Sequence, residues 1–495
     1  RDQPFFAVFN DMTTHQSRSM VWPQAAFEKH VAAELSPSER HDPAEVPLPP
    51  YYPDTALVRQ ELARYYDCVT AMDRHVGQRL AELRADGLEE ETIVFFYSDH
   101  GSGMPRHKRL LHDSGLRVPL IVKFPEKFQH LAPAAPGAVI DALVMFADFG
   151  PTVLNLLGIK VPADMEGRAF LGEGASRAGR SVVYGARDRV DEVYDCARSV
   201  RDGRWLYLRN FHPHLGWAQP SVFCDLGVVR GEILHFAGAR TAAQRHYVSA
   251  TRPVEEFFDT ENDPWNVMNL AETKRTPEQE AALKRMRMLL KRERSRLLDQ
   301  GALPEDEMWS WIRAEGAPLR DVLLGKTTHR PDLESIWDAA DLVGTGSIDA
   351  LAELLSDGEP ARRYWGVIGL RHAAFDDAAV RGRLVDHLLD ASAAVRIEVA
   401  GWLGHFPETR EAALEVLATD LKAEDWWVAL RACRAVELLG KDAASMLPQM
   451  RAIYAEHRHQ PGDASLYLAF SSGAFLEALG EPTEPWDFTP EAKQP

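Results

Sequence analysis

Apolar residues fall into clusters whose spacing changes along the chain. Phe5-Phe6-Ala7-Val8-Phe9 is a continuous apolar run that ends at Asn10-Asp11, the composition of a buried strand. Met12 to Pro53 is rich in Pro, Ser and His and reads as a long loop with one helix. From Ala56 to Leu83 the residues Leu62, Tyr65, Val69, Met72, Val76, Leu80 and Leu83 recur at steps of three or four, one side of a helix that Asp86-Gly87 stops. Thr92 to Tyr97 is apolar and β-branched enough to predict a central strand, and it empties into Ser98-Asp99-His100-Gly101. Val118 to Phe124 supplies a third strand. Strand, helix, strand, loop, strand is the order of α/β layering.

From about Ser181 to Leu270 the segments shorten and are bounded by Gly, Asp or Asn, which predicts a small, mostly antiparallel sheet. Glu278 to Leu298 reads as a charged helix, and Pro304 to about Thr345 as a connector. Beyond it, 363–370, 396–403 and 429–436 align at a step of 33 residues, with Val367, Ala400 and Cys433 in register. Stacked helical pairs resembling HEAT repeats are expected, with packing or docking as their role. The predicted domains are 1–175, 176–303, the connector 304–345, and helical repeats over 346–485.

Composition narrows the functional classes. The 495 residues carry 74 Asp plus Glu against 56 Lys plus Arg, a net charge of -18 that disfavours general nucleic-acid binding. Cys68, Cys196, Cys224 and Cys433 are far apart and form no C-x-x-C pair, so no zinc knuckle or thiol redox site is visible. The most apolar stretch, 142–159, is interrupted by Asp148, Pro151 and Asn155, and no membrane span is expected. The chain opens on Arg1, without an initiator Met or a signal peptide, which leads us to expect that it starts in mid-domain.

Asp99 and His100 stand at the C-terminal mouth of an apolar strand, where open α/β sheets place reacting groups, and adjacent carboxylate and imidazole side chains can share one divalent cation. Lys108, within Arg106-His107-Lys108-Arg109, is a compact ammonium suited to sulfate or phosphate oxygens, although such a charge run also suits a solvated face. His15 follows the first strand and reaches the same sheet edge if the two strands are neighbours.

These pieces resemble the C-terminal half of a type I sulfatase catalytic domain, of the alkaline phosphatase superfamily. The likeness runs from Pro4-Phe5-Phe6 and His15 through Tyr65-Tyr66 and Met72-Asp73 to Ser98-Asp99-His100-Gly101. It continues with Lys108, Ser114 to Pro119, Asp148 with Pro151 to Leu154, Met165 to Arg168, Ser199 to Trp205 and Glu256 to Asp259. It implies an α/β fold: a partial alkaline-phosphatase-like core, a small antiparallel C-terminal subdomain, then the all-α repeats. It also implies Asp99 as a calcium ligand. His100 stands where many members have Asn, which leaves another divalent cation open. Lys108 would hold sulfate oxygens, and His15 would contact sulfate or protonate the departing atom. The implied chemistry is attack on sulfur by a hydrated formylglycine, loss of the alcohol or amine, and expulsion of sulfate.

One departure limits the likeness. Formylglycine arises from Cys or Ser in a C/S-x-P/A-x-R motif, and none of the four cysteines begins one. The early Asp-Asp pair that supplies further metal carboxylates is missing too, so the nucleophile is expected outside this chain, which by itself should not turn over a sulfate ester. The run Tyr184 to Asp188 and its neighbours look most like bacterial enzymes near N-sulfoglucosamine sulfohydrolase, with a sulfated glycan as substrate. His107, Arg187 and Asp188 are candidate substrate contacts, with a salt-bridged strand edge as the plain alternative for the last two. The resemblance implies a periplasmic or secreted protein. Two other readings stay open: a phosphoester or phosphonate hydrolase of the same superfamily, for which His100 speaks, and a non-catalytic protein whose repeats dock a protein partner.

Overall fold

A computed structural model describes residues 3–175, 179–329 and 331–491. The long helix spans Ala56–Ala85, capped by the Thr55 hydroxyl accepting the Val58 N–H and ended at Gly87, whose φ of 69° suits glycine. It leads to β1 (Val94–Tyr97), which pairs antiparallel with β2 (Leu120–Lys123), Phe95 opposite Val122. The expected first strand does not form. Residues 5–9 have no ladder partner among the described residues, and Phe6 and Phe9 are 75% and 68% exposed. Apolar composition favours a strand only where neighbouring backbone completes its hydrogen bonds. For the same reason β1 is half-buried rather than central, and Ile121 of β2 is 61% exposed.

The second sheet is antiparallel in the order β3 (Val183–Arg187), β4 (Ala197–Arg201), β5 (Trp205–Asn210), β6 (Glu255–Asp259). Strand alternation divides its side chains between two cores. Trp205, Tyr207 and Phe257 face Leu283, Met286 and Leu290 of the helix Pro277–Arg296. Leu206, Leu208 and Phe258 face the other way, against Leu110, Leu111 and Tyr51. The loop bearing Lys108 is thereby seated on a sheet whose inner strands β4 and β5 are almost wholly buried.

The helical part repeats its local chemistry at the step seen in the sequence. Side chains of Glu359, Ser392 and Asp425, each 33 residues after the last, cap the helices Pro360–Ala374, Ala393–Leu403 and Trp426–Leu439. Val367, Ala400 and Cys433 are all buried completely. Arg363 binds Asp390, and Arg396 binds Asp420 in the next unit. The 304–345 stretch contains helices Glu305–Glu315, Leu319–Leu323 and Leu333–Asp341, and its Ile336, Trp337 and Val343 join the same core as Cys196 and Phe211 of the sheet region. After the last helix, Asp463–Ala478, the chain folds back so that the Trp22 indole N–H donates to the Phe488 carbonyl at 2.8 Å. No helix among the described residues is long and apolar enough to cross a membrane.

Glu192, on the β3–β4 connection, is buried where the sheet region meets Arg434 and Glu437 of the helical part. One of its oxygens accepts the Val222 N–H at 2.7 Å and the other has no partner. Burial outweighs the pull of Arg434 and pushes its pKa up to about 7 from an ordinary 4.5. The folded state therefore holds this proton more tightly than the unfolded state, and stability falls as pH rises from about 4.5 to about 7. Glu192→Gln should leave the melting temperature unchanged near pH 4.5 and raise it at pH 8, by a free energy on the order of 2–3 kcal/mol. Equal melting curves at pH 8 would refute this assignment.

Candidate active site

His15 follows a turn and precedes a π-helical segment, Ser17–Val21, in which Trp22 N–H reaches back to Ser17 O at 2.7 Å. Such turns often mark functional positions. Arg64 of the long helix donates to the carbonyls of Arg18 and Trp22, both at 2.7 Å, and so fixes this segment. Opposite lies the loop 101–117. Gly101 N–H bonds Gly115 O at 2.9 Å, and Lys108 N–H bonds Ser102 O at 2.9 Å. Arg106 and Arg109 adopt φ values of 68° and 76°, uncommon for residues with a side chain, and hold Lys108 between them.

These two segments meet. A Cβ added at Gly103 would stand 2.8 Å from Cα of Gln16, so only glycine permits the approach. Arg109 bridges the gap, donating to Gln16 Oε1 at 2.5 Å and to Asp191 Oδ2 at 2.9 Å. Burial, with the positive charges of Lys108 and Arg109, lowers the pKa of His15 to about 4. The ring is therefore neutral at physiological pH. Its Nδ1 accepts the Ser17 backbone N–H at 3.2 Å, so the proton sits on Nε2, available to an anion. Burial and Arg109 likewise lower the pKa of Lys108, against Asp99 and Asp191.

Asp99 and His100 form a second donor pair. His100 Nδ1 donates to the Gly101 carbonyl at 2.7 Å, leaving a lone pair on Nε2 that faces Asp99 Oδ2 at 3.3 Å. Two acceptors so placed suit a bridging cation, and the Asp99 side chain is 81% exposed to receive one. One carboxylate and one imidazole furnish part of a shell; calcium takes six to eight oxygens. Among the described residues, the group with full metal-ligand spacing is instead His112, His246 and Glu256, beneath the loop.

The other expected contacts have partners of their own. His107 is held between Ser102 Oγ at 2.6 Å and Tyr51 OH at 2.7 Å, both ring nitrogens engaged, so it braces the loop. Asp188 pairs with Arg198 at 2.9 Å in a network that continues to Asp299, the contact of a salt-bridged strand end. Arg187 is buried, 3.1 Å from Asp195, and lines a cavity shared with Lys108. Sequence reasoning missed Gln16, Cys224 and the segment 217–230, which approach only through the fold. Two Ser-x-Ala-x-Arg strings do occur, at 176–180 and 392–396. Residues 176–178 lie outside the described residues, Arg180 binds Asp148, and Ser392 and Arg396 serve the helical repeat.

Residues 1–159 match the family model described as Sulfatase. An ulvan-active sulfatase of Formosa agariphila is 35% identical over 334 residues, covering 62% of this chain and 54% of that protein. The N-sulphoglucosamine sulphohydrolase of Homo sapiens is 28% identical over 251 residues, covering 47% and 48%. A phosphonate monoester hydrolase structure from Silicibacter pomeroyi aligns at TM-score 0.35 and 18% identity over 60% of this chain and 51% of that one. The chain spans about half the length of the curated relatives it matches.

Two outcomes test the geometry. Gly103→Ala should force His15 and Gln16 off the loop and lower stability by about 3 kcal/mol, read by chemical denaturation; an unchanged midpoint contradicts the close approach. Lys108→Ala should raise the His15 titration midpoint, followed by ring NMR signals, because a neighbouring positive charge is gone. No movement would separate the two residues.

Proposed function

We propose that this chain forms the binding half of a hydrolase for sulfate esters or sulfamates of sulfated carbohydrates. The observation that supports the reading is that Lys108, His100 and Asp99 lie near enough to His15 to act on its charge, within a segment that matches the sulfatase family model. Lys108 compensates the charge of a sulfate group in a half-buried setting, where an ion pair is worth more than in open solvent. His15 Nε2–H donates to the same oxyanion or to the bridging atom of the bond to be broken. With a midpoint near 4, this ring acts as a neutral hydrogen-bond donor rather than as an imidazolium acid at pH 7.

Asp99 Oδ2 and His100 Nε2 would hold a divalent cation, calcium first, which when bound polarises sulfate oxygens. A formylglycine nucleophile would come from a segment beyond these residues, as would the remaining metal carboxylates. Ulvan-active and N-sulphoglucosamine enzymes among the relatives support a sulfated glycan substrate. The helical repeats, packed on the sheet region, serve as a scaffold and a docking surface for a protein partner.

Calcium should raise the melting temperature of the 495-residue protein, and Asp99→Ala should abolish that shift. A shift that survives removes Asp99 as a ligand. Lys108→Ala should weaken binding of glucosamine 6-sulfate tenfold or more in calorimetry; parent-like affinity removes Lys108 from the sulfate site.

A further inference from the structure

The loop that carries Lys108 also roofs a part-enclosed cavity of about 40 Å³. That volume holds about three waters or one compact oxyanion. Arg106, Lys108, Arg109, Arg187 and Arg230 line it, and among the described residues no carboxylate does. The acidic partners of three of these arginines, Asp191, Asp195 and Asp225, contact the guanidinium groups without lining the cavity.

Residues lining it carry buried polar atoms without hydrogen-bond partners: Arg187 Nη1, Gln219 Nε2 and Ser221 Oγ, on residues only 7%, 7% and 6% exposed, and the Nε atoms of Arg106, Arg109 and Arg187. Ser221 occupies the cap position of the short helix Val222–Asp225, yet its hydroxyl does not cap. A buried donor without a partner costs about 1–3 kcal/mol, so several on the residues around one cavity favour an occupant rich in lone pairs. Trp217 closes one side, its ring 5.6 Å from the Arg187 guanidinium carbon. Positive lining, donors without acceptors and the volume together describe an anion.

We propose that this cavity binds one compact oxyanion, and that on the substrate it is a second acidic group, a carboxylate or another sulfate, next to the sulfate held by Lys108. The link to substrate rests on the function proposed above; the anion site stands on the cavity alone.

Calorimetry and thermal shift with sodium glucuronate and sodium sulfate, at constant ionic strength, test it on the full chain and on Ser221→Ala, Gln219→Leu and His15→Ala. Ser221→Ala and Gln219→Leu each delete a donor that bonds nothing, so their melting temperatures without anion should equal or exceed the parent's. Both should weaken anion binding at least fivefold, while His15→Ala retains a parent-like cavity event. Tighter glucuronate identifies the group as a carboxylate and tighter sulfate as a second sulfate. Unchanged binding in both cavity variants overturns the proposal. Binding lost only in His15→Ala overturns it too, by assigning the anion to the site of Lys108 and His15 and leaving the proposed function intact.

Discussion

A single buried carboxylate organises the ground on which the site stands. Glu256 of β6 is wholly inaccessible and gathers the Trp217 indole N–H at 2.9 Å, the Asn210 amide at 3.0 Å and His112 Nε2 at 3.0 Å, with His246 Nε2 also 3.0 Å away. An ion removed from water must collect its donors from the protein, and losing one leaves a buried charge uncompensated. Here the donors come from β5, the 101–117 loop, the 217–230 segment and the helix Ala242–Val248. These contacts hold Glu256 well below the usual carboxylate range, while burial and the nearby Arg106 lower His112 to about 3, so that His112 donates as a neutral ring.

With the underside of the loop pinned, its upper side can carry strain. Arg106 spends its guanidinium on the Trp265 and Asn266 carbonyls and lies 4.4 Å over the Tyr51 ring, which holds its left-handed backbone. Left-handed conformations at non-glycine residues cost about 1–2 kcal/mol each, an amount that such buried contacts offset. The result is that Lys108 projects between two constrained neighbours instead of waving in solvent. A rigid ammonium loses less entropy on meeting an anion than a free one.

The helical part is joined to this ground rather than hung from it. Arg209 of β5 donates to the Val343 carbonyl at 2.6 Å, Arg434 to the Pro220 carbonyl at 2.7 Å, and Phe211 packs 5.1 Å from Trp337. The returning tail places Phe488 5.1 Å from Phe223, whose ring is in turn 6.4 Å from His15. A chain of aromatic contacts thus links the end of the molecule to the rim of the candidate site.

Much of this was legible along the chain because local rules suffice for it. Helical spacing marked Ala56–Ala85, short segments bounded by Gly, Asp or Asn marked the antiparallel sheet, and the 33-residue step recurs in the caps at 359, 392 and 425. Motif order pointed to His15, Asp99, His100 and Lys108, residues of one local likeness. Three-dimensional packing decided the rest. It left the apolar 5–9 run unpaired, since strand formation depends on a neighbour and not on composition. It turned His107 and Asp188 toward structural partners, and brought Gln219 and Ser221 more than a hundred residues along the chain to the back of Lys108. No spacing rule encodes such approaches; they exist because buried Glu256 and the two-faced sheet force distant segments to share one interior.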